Sequence, residues 1–204
     1  MPRHFSSEER IDIENRLIAA AKELFLQYGL NKTTISDITE KAHVGKGTFY
    51  LFFKSKGDIY LKLYMNEWTA VHDIFDKKYL GKKGNLDELI LDYICENRKQ
   101  LLSHPILSRV YDRHTLSLIS DSSVKNRIEA FSTLGDNRLK KIINSWLECN
   151  NINCSLSTEV ISGMMRSLSY LNYHKDEIGE EYFEEVIKQF AAGITLVVNQ
   201  KRID

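Results

Sequence analysis

Apolar side chains recur along this chain at steps of three and four. Ile13, Leu17, Ala20, Ala21, Leu24, Phe25 and Tyr28 form one such series, the spacing that lines one face of a helix. Strand-like alternation is absent, and of the two prolines one is Pro2. An all-α fold follows. With 204 residues, the chain has room for a small domain beside a larger one and can bury a core without staples.

The spacing predicts a first helix over 11–28. Gly29 stops it, because the residue past a helix end favours a left-handed backbone. A second helix opens at Thr33 or Thr34 and carries Ile35, Ile38 and Ala42 inward. Asp37 lies three residues after Thr34, the arrangement of a capping box. After the short turn "HVGK" comes a third helix over 46–53, then a long fourth from near Asp58 to about Tyr79. The segment 80–85, "LGKKGN", reads as a loop. Further helices are expected over 86–103, 105–119, 123–149, 157–174 and 179–200. The natural division is 1–56, a helix-turn-helix domain, against 57–204, a larger helical domain.

Lys+Arg and Asp+Glu both number 28, so net charge by itself names no partner. The distribution says more. From Lys41 to Lys56 there are four lysines and no acid, a local basic patch on a neutral chain. The odd cysteine count, Cys95, Cys149 and Cys154 with no CxxC pair, indicates neither a disulfide framework nor a zinc site. No run approaches about 18 apolar residues. A cytoplasmic protein with no membrane partner is expected.

The stretch "HVGKGTFYLFFKSK", His43 to Lys56, combines that patch with four aromatic rings. It is not a phosphate-binding P-loop, which needs Gly, four residues, then Gly-Lys-Ser/Thr; here Glu40 and Gly47 stand at the decisive positions. Phe49, Phe52 and Phe53 can pack inward from a helix starting at Lys46. Lys46, Gly47, Thr48, Tyr50 and Leu51 are then left on or near the outward side. A cation, a hydroxyl, a phenol and a residue with no side chain at a helix start suit a duplex surface. Two short helices joined by a tight turn, with this surface on the second, describe a helix-turn-helix, whose second helix enters the major groove. The competing readings are a core segment with a solvated rim, and a helix-turn-helix that binds no DNA.

"TTISDITEKAHVGKGTFYLFFKSKGDIY", Thr33 to Tyr60, resembles the DNA-binding signature of the TetR family of bacterial repressors. The matching positions are Thr33-Thr34, Ile38, Ala42, Val44, Lys46-Gly47-Thr48-Phe49-Tyr50, Phe53, Ser55 and Lys56. Thr39, His43, Gly45 and Gly57 depart from the pattern. His43 stands where that family often has a turn glycine, so positive φ is expected there, a region His tolerates better than most residues. The resemblance implies that Thr34, Thr48, Tyr50 and Lys56 hold phosphates. It implies that Ser36, Lys46, Gly47 and Leu51 face base edges. Phosphate contacts set register and base contacts choose the sequence.

Nothing in 57–204 has the pattern of an active site. The six histidines contain no HExxH pair, there is no GxSxG, and no cofactor or metal is expected. Val160, Met164, Leu168 and Leu171 form one stripe, with Ile161 and Met165 widening it. Phe183, Val186, Ile187, Phe190, Ile194 and Val197 repeat the pattern on the last helix. A helix apolar on more than one side needs more than one partner. A two-fold homodimer through these two helices is expected, with Ile161, Met164, Leu168, Phe190, Ile194 and Val197 at the interface; the resemblance also implies such pairing. Trp68, His72, Tyr93, Tyr111, His114, Phe131 and Met165 are candidates to line a small-molecule pocket. The family resemblance implies that the pocket takes an inducer, and the mixed lining leans toward an apolar or aromatic one. The expected function is that of a dimeric transcriptional regulator, a repressor released from a palindromic double-stranded DNA operator by a small molecule. The alternative is an all-α small-molecule-binding or enzymatic protein with a vestigial helix-turn-helix.

Overall fold

The computed structural model describes residues 5–109, 122–171 and 174–199. Among the described residues there are ten helices and no strand: α1 (Ser7–Lys32), α2 (Ile35–Lys41), α3 (Lys46–Phe49), α4 (Lys56–Tyr79), α5 (Leu86–Ser103), α6 (Pro105–Arg109), α7 (Ser122–Cys149), α8 (Thr158–Leu171), α9 (Lys175–Ile178) and α10 (Phe183–Asn199). The chain divides into two compact units, Met1–Trp68 with His104–Phe131, and Thr69–Ser103 with Ser132–Asp204. This division falls in the middle of α4, whereas the sequence reading sets its boundary at residue 56. No helix among the described residues is long and apolar enough to cross a membrane.

The reason for the shift lies in the first half of α4. Ile59, Tyr60, Leu61, Leu63, Tyr64 and Trp68 are all buried, and Tyr60 meets Phe25 of α1 edge-to-face at 5.7 Å. The Glu67 carboxylate accepts the Leu107 amide of α6 at 2.9 Å and pairs with Lys22 of α1 at 2.7 Å. Arg109, at the end of α6, donates to the carbonyls of Phe25 and Leu26 at 2.6 and 3.1 Å. Neither the carboxylate nor the guanidinium contact leaves an apolar periodicity to read. The first unit thus takes in α6 and the start of α7 as well as the three N-terminal helices.

Helix α1 begins earlier than its apolar stripe. Ser6 caps it, and Ser6 and Glu9 exchange bonds of 3.1 and 2.8 Å, a reciprocal box that satisfies two of the first turn's free amides. At its far end Gly29 takes φ 81 and breaks the regular helix as expected. Thr34 and Asp37 form the predicted capping box of α2, at 2.8 and 3.1 Å.

In the second unit α5, α8 and α10 pack on one another. A ring cluster lies beside them: Tyr93 stands 4.7 Å from Phe75, 5.1 Å from Tyr79 and 6.0 Å from Trp146. Trp146 is fully buried and its indole N–H donates to the Tyr79 carbonyl at 2.8 Å, the partner such a ring needs when removed from water.

Candidate nucleic-acid interface

The helix-turn-helix is built on Ile38, Ala42, Phe49 and Phe53, at most 5% exposed. Ile38 and Ala42 come from α2 and its end; Phe49 and Phe53 anchor the second helix from beneath. The turn between them holds His43 at φ 53, so the residue occupying the family's glycine position does adopt the left-handed backbone. Its amide donates to Glu40 O at 3.0 Å, and the Val44 amide donates to Thr39 O at 3.0 Å. Arg16 of α1 reinforces the end of α2 by donating to Ala42 O at 3.2 Å, with Asp12 holding its Nε at 3.0 Å.

Helix α3 is regular only over Lys46–Phe49, shorter than the expected 46–53. The chain then tightens: the amides of Leu51 and Phe52 donate to the carbonyls three residues back at 3.1 and 3.0 Å. Tightening lets Phe53 reach the core, and Phe52 is only half-buried, with the Arg10 guanidinium 4.9 Å over its ring.

The outward set stands as the spacing predicted. Lys46 and Gly47 are exposed, and Tyr50 and Leu51 are each 53% exposed. A phenol and a leucine left this open, beside a cation, make an apolar and cationic surface, with the Tyr50 ring meeting Phe49 edge-on at 5.5 Å. Ser36 is exposed on α2. Thr48 is half-buried and lines a shallow groove of about 320 Å³ with Gly45, His43 and Arg16. Thr34 is exposed, and its hydroxyl accepts the Asp37 amide. The Thr34 amide and hydroxyl, bonding Asp37, hold the Asp37 carboxyl below the usual carboxylate range.

The basic patch resolves into two kinds of lysine. Lys41 is paired with Glu23 of α1 at 2.6 Å, and the Lys56 ammonium is bonded to backbone carbonyls. Lys46 and Lys54 are exposed. Lys54, which sequence reasoning did not single out, has no motif signal beyond its place in the acid-free run. Arg16 gave no signal either, because the carbonyl it bonds lies 26 residues along the chain.

The expected pocket residues are divided between the two units. Trp68 and Phe131 meet at 5.0 Å in the first unit, with Tyr64 6.2 Å from Phe131. His72 and Tyr93 are half-buried and Met165 is buried in the second unit. Tyr111 and His114 lie outside the described residues.

The expected dimer residues differ in exposure within the single chain. Ile161, Leu168 and Ile194 are 1–4% exposed; they are core residues of the second unit and have little surface left to give a partner. Met164 and Val197 are half-buried and Phe190 is 54% exposed. The two apolar faces of α8 and α10 were visible in the sequence, but which face turns inward was decided by packing against α5.

Residues 17–63 match the family model described as bacterial regulatory proteins, tetR family. The HTH-type transcriptional repressor NemR of Escherichia coli K12 is 28% identical over 97 residues, covering 48% of this chain and 49% of that protein. The HTH-type transcriptional regulator QacR of Staphylococcus aureus is 27% identical over 81 residues, covering 40% and 43%. The chain thus spans about half the length of the curated relatives it matches. Among solved structures, the Bacillus subtilis transcriptional regulator FadR in complex with stearoyl-CoA superposes with TM-score 0.68 at 19% identity, over 91% of this chain and 97% of that one. The fatty acid degradation regulator FadR of Bacillus halodurans gives 0.65 at 16% identity, over 98% and 99%. With a buried-phenylalanine helix-turn-helix, a left-handed turn residue at position 43 and a matching family model, residues 17–63 carry the N-terminal segment of bacterial regulatory proteins of the tetR family, and the chain shares the fold of the solved regulators along nearly its whole length.

Proposed function

We propose that this protein is a dimeric transcriptional repressor that grips a palindromic operator with α3 and is released by a small-molecule ligand. The observation that carries the reading is the outward face of α3. Lys46, Gly47, Tyr50 and Leu51 are exposed together while Phe49 beneath them is fully buried. In this reading Lys46 donates to a guanine edge and Leu51 touches a thymine methyl. Ser36 and Gly47 approach the bases, and Thr34, Thr48 and Tyr50 hold phosphates. Two copies present two such helices about one turn of DNA apart, or a multiple of it (~34–36 Å for one turn). The partner is bound through the outward residues Met164, Phe190 and Val197. A ligand taken up by the helices beyond the helix-turn-helix favours a conformation with the wrong spacing. By linkage, operator DNA must weaken ligand binding by the same factor.

Selection of bound fragments from the source genome, followed by footprinting, tests this. The expected result is two protected half-sites related by a dyad, with affinity falling on a log-log salt plot by about 0.9 per neutralised phosphate. A pure chain that retains no fragment even at low ionic strength overturns it.

A further inference from the structure

Lys56 belongs, by its place in the motif, among the side chains expected on phosphate, yet its ammonium is engaged inside the protein. It donates to the carbonyl oxygen of Thr33 at 2.8 Å and to that of Asn31 at 3.3 Å. Asn31 stands in the last turn of α1, past the break at Gly29, and Thr33 is the extended residue that caps that end and leads to α2. Carbonyls at a helix end lack intrahelical donors, and a cation there also meets the negative end of the helix. The Thr33 hydroxyl ties the same link back by donating to Gly29 O at 2.8 Å and Leu24 O at 3.3 Å. The next residue, Thr34, caps α2.

Lys56 is in turn the first residue of α4, and that helix start is itself pinned. The Asp58 amide donates to the Ser55 hydroxyl, and the Lys54 amide donates to the Asp58 carboxylate, both at 3.1 Å. Gly57 lies against Val124 of α7, where an added Cβ would stand 3.6 Å from the valine side chain. Desolvation lowers the Lys56 pKa, opposed by the charge of Asp37 on α2. The ammonium thus joins a fixed helix start to the link that enters the helix-turn-helix.

We propose that Lys56 is a positioning residue for DNA binding: its bonds to Asn31 and Thr33 set where α2, and through it α3, stand against α1 and α4. The inference rests on the operator-binding reading above and reassigns Lys56, which the family resemblance places on phosphate. To touch DNA, the ammonium would have to leave two carbonyls that have it as a donor.

The test uses the full chain and the fragment recovered by genomic selection. Lys56→Met keeps the aliphatic stem and removes the ammonium; Lys56→Gln keeps a neutral amide donor for the carbonyls. Affinity is measured across a salt series at a temperature where circular dichroism shows each variant fully folded. The expected result for Lys56→Met is binding about tenfold weaker, the worth of one charge-assisted hydrogen bond in the frame, with an unchanged salt slope. Lys56→Gln should recover part of the affinity, again without changing the slope. If Lys56→Met does not fold, the slope of Lys56→Gln decides. A slope shallower by about 0.9 in either variant marks a lost phosphate contact and overturns the proposal. Unchanged affinity in folded Lys56→Met also overturns it, because the bonds then hold the fold without orienting α3. A wild-type chain that binds no fragment defeats the operator-binding reading itself, and this inference with it, before any variant is made.

Discussion

Gly47 sits on the exposed side of the first turn of α3, and beyond its chain neighbours and its own helix backbone nothing lies within 4 Å of the place its Cβ would occupy. The fold therefore gives no steric reason for a glycine, and in a helix the residue costs about 1 kcal/mol against alanine. In the operator-binding reading, the missing side chain lets the helix approach the bases closely. Gly47→Ala should leave thermal stability unchanged or raise it by up to about 1 kcal/mol, read by calorimetry. The same change should weaken operator binding by about 1–3 kcal/mol, the scale of one spoiled base contact, read by fluorescence anisotropy. Equal binding by both proteins would show that this side of α3 does not approach DNA. At this scale much was legible beforehand. The outward position of Lys46, Gly47 and Leu51 follows from where Phe49 and Phe53 must point, and the positive φ at His43 follows from the turn. The engagement of Lys56 was not legible, because its acceptors are backbone carbonyls 23 and 25 residues away and every residue type supplies a carbonyl.

Helix α4 shows what changes at the level of elements. Its apolar spacing announces a long helix, and the structure has one, Lys56–Tyr79. Its assignment to units depends on a buried charge. Glu67 is 5% exposed, holding the Leu107 amide of α6 and the Lys22 ammonium of α1. Glu67→Ala should destabilise the protein by about 1–3 kcal/mol, since it leaves a buried amide without an acceptor; the Lys22 pair, largely open to water on the lysine side, adds little. Urea unfolding with an unchanged m-value would measure this, and a loss under half a kcal/mol would show that α6 does not depend on the carboxylate. Capping divides the same way. The Thr34–Asp37 box stood out because the helix-turn-helix directed attention to it. The Ser6–Glu9 box has the same spacing but precedes the apolar stripe by several residues, so the stripe placed the start of α1 too late.

For the molecule as a whole, the decisive surface is the outward stripe of the last long helices. On α10, Val186, Phe190, Gly193 and Val197 follow one another at steps of four, three and four; Phe183, Ile187, Ala191, Ile194 and Val198 take the buried side. On α8 the outward series is Val160, Gly163, Met164 and Leu171, against buried Ile161, Met165 and Leu168. If two copies pair through these stripes, Phe190→Glu should yield a folded monomer in sedimentation experiments and abolish cooperative operator protection. A wild-type chain that sediments as a monomer at micromolar concentration would remove the dimer from the proposal. By itself the sequence determined that the chain is helical, where most helices run, and which residues form the helix-turn-helix, since all three are written in local spacing and turn chemistry. Only the tertiary structure decided which apolar face is core, where the first unit ends and what Lys56 and Glu67 bind. Those outcomes depend on contacts between residues far apart in the chain, made by backbone and charged groups that leave no periodic trace.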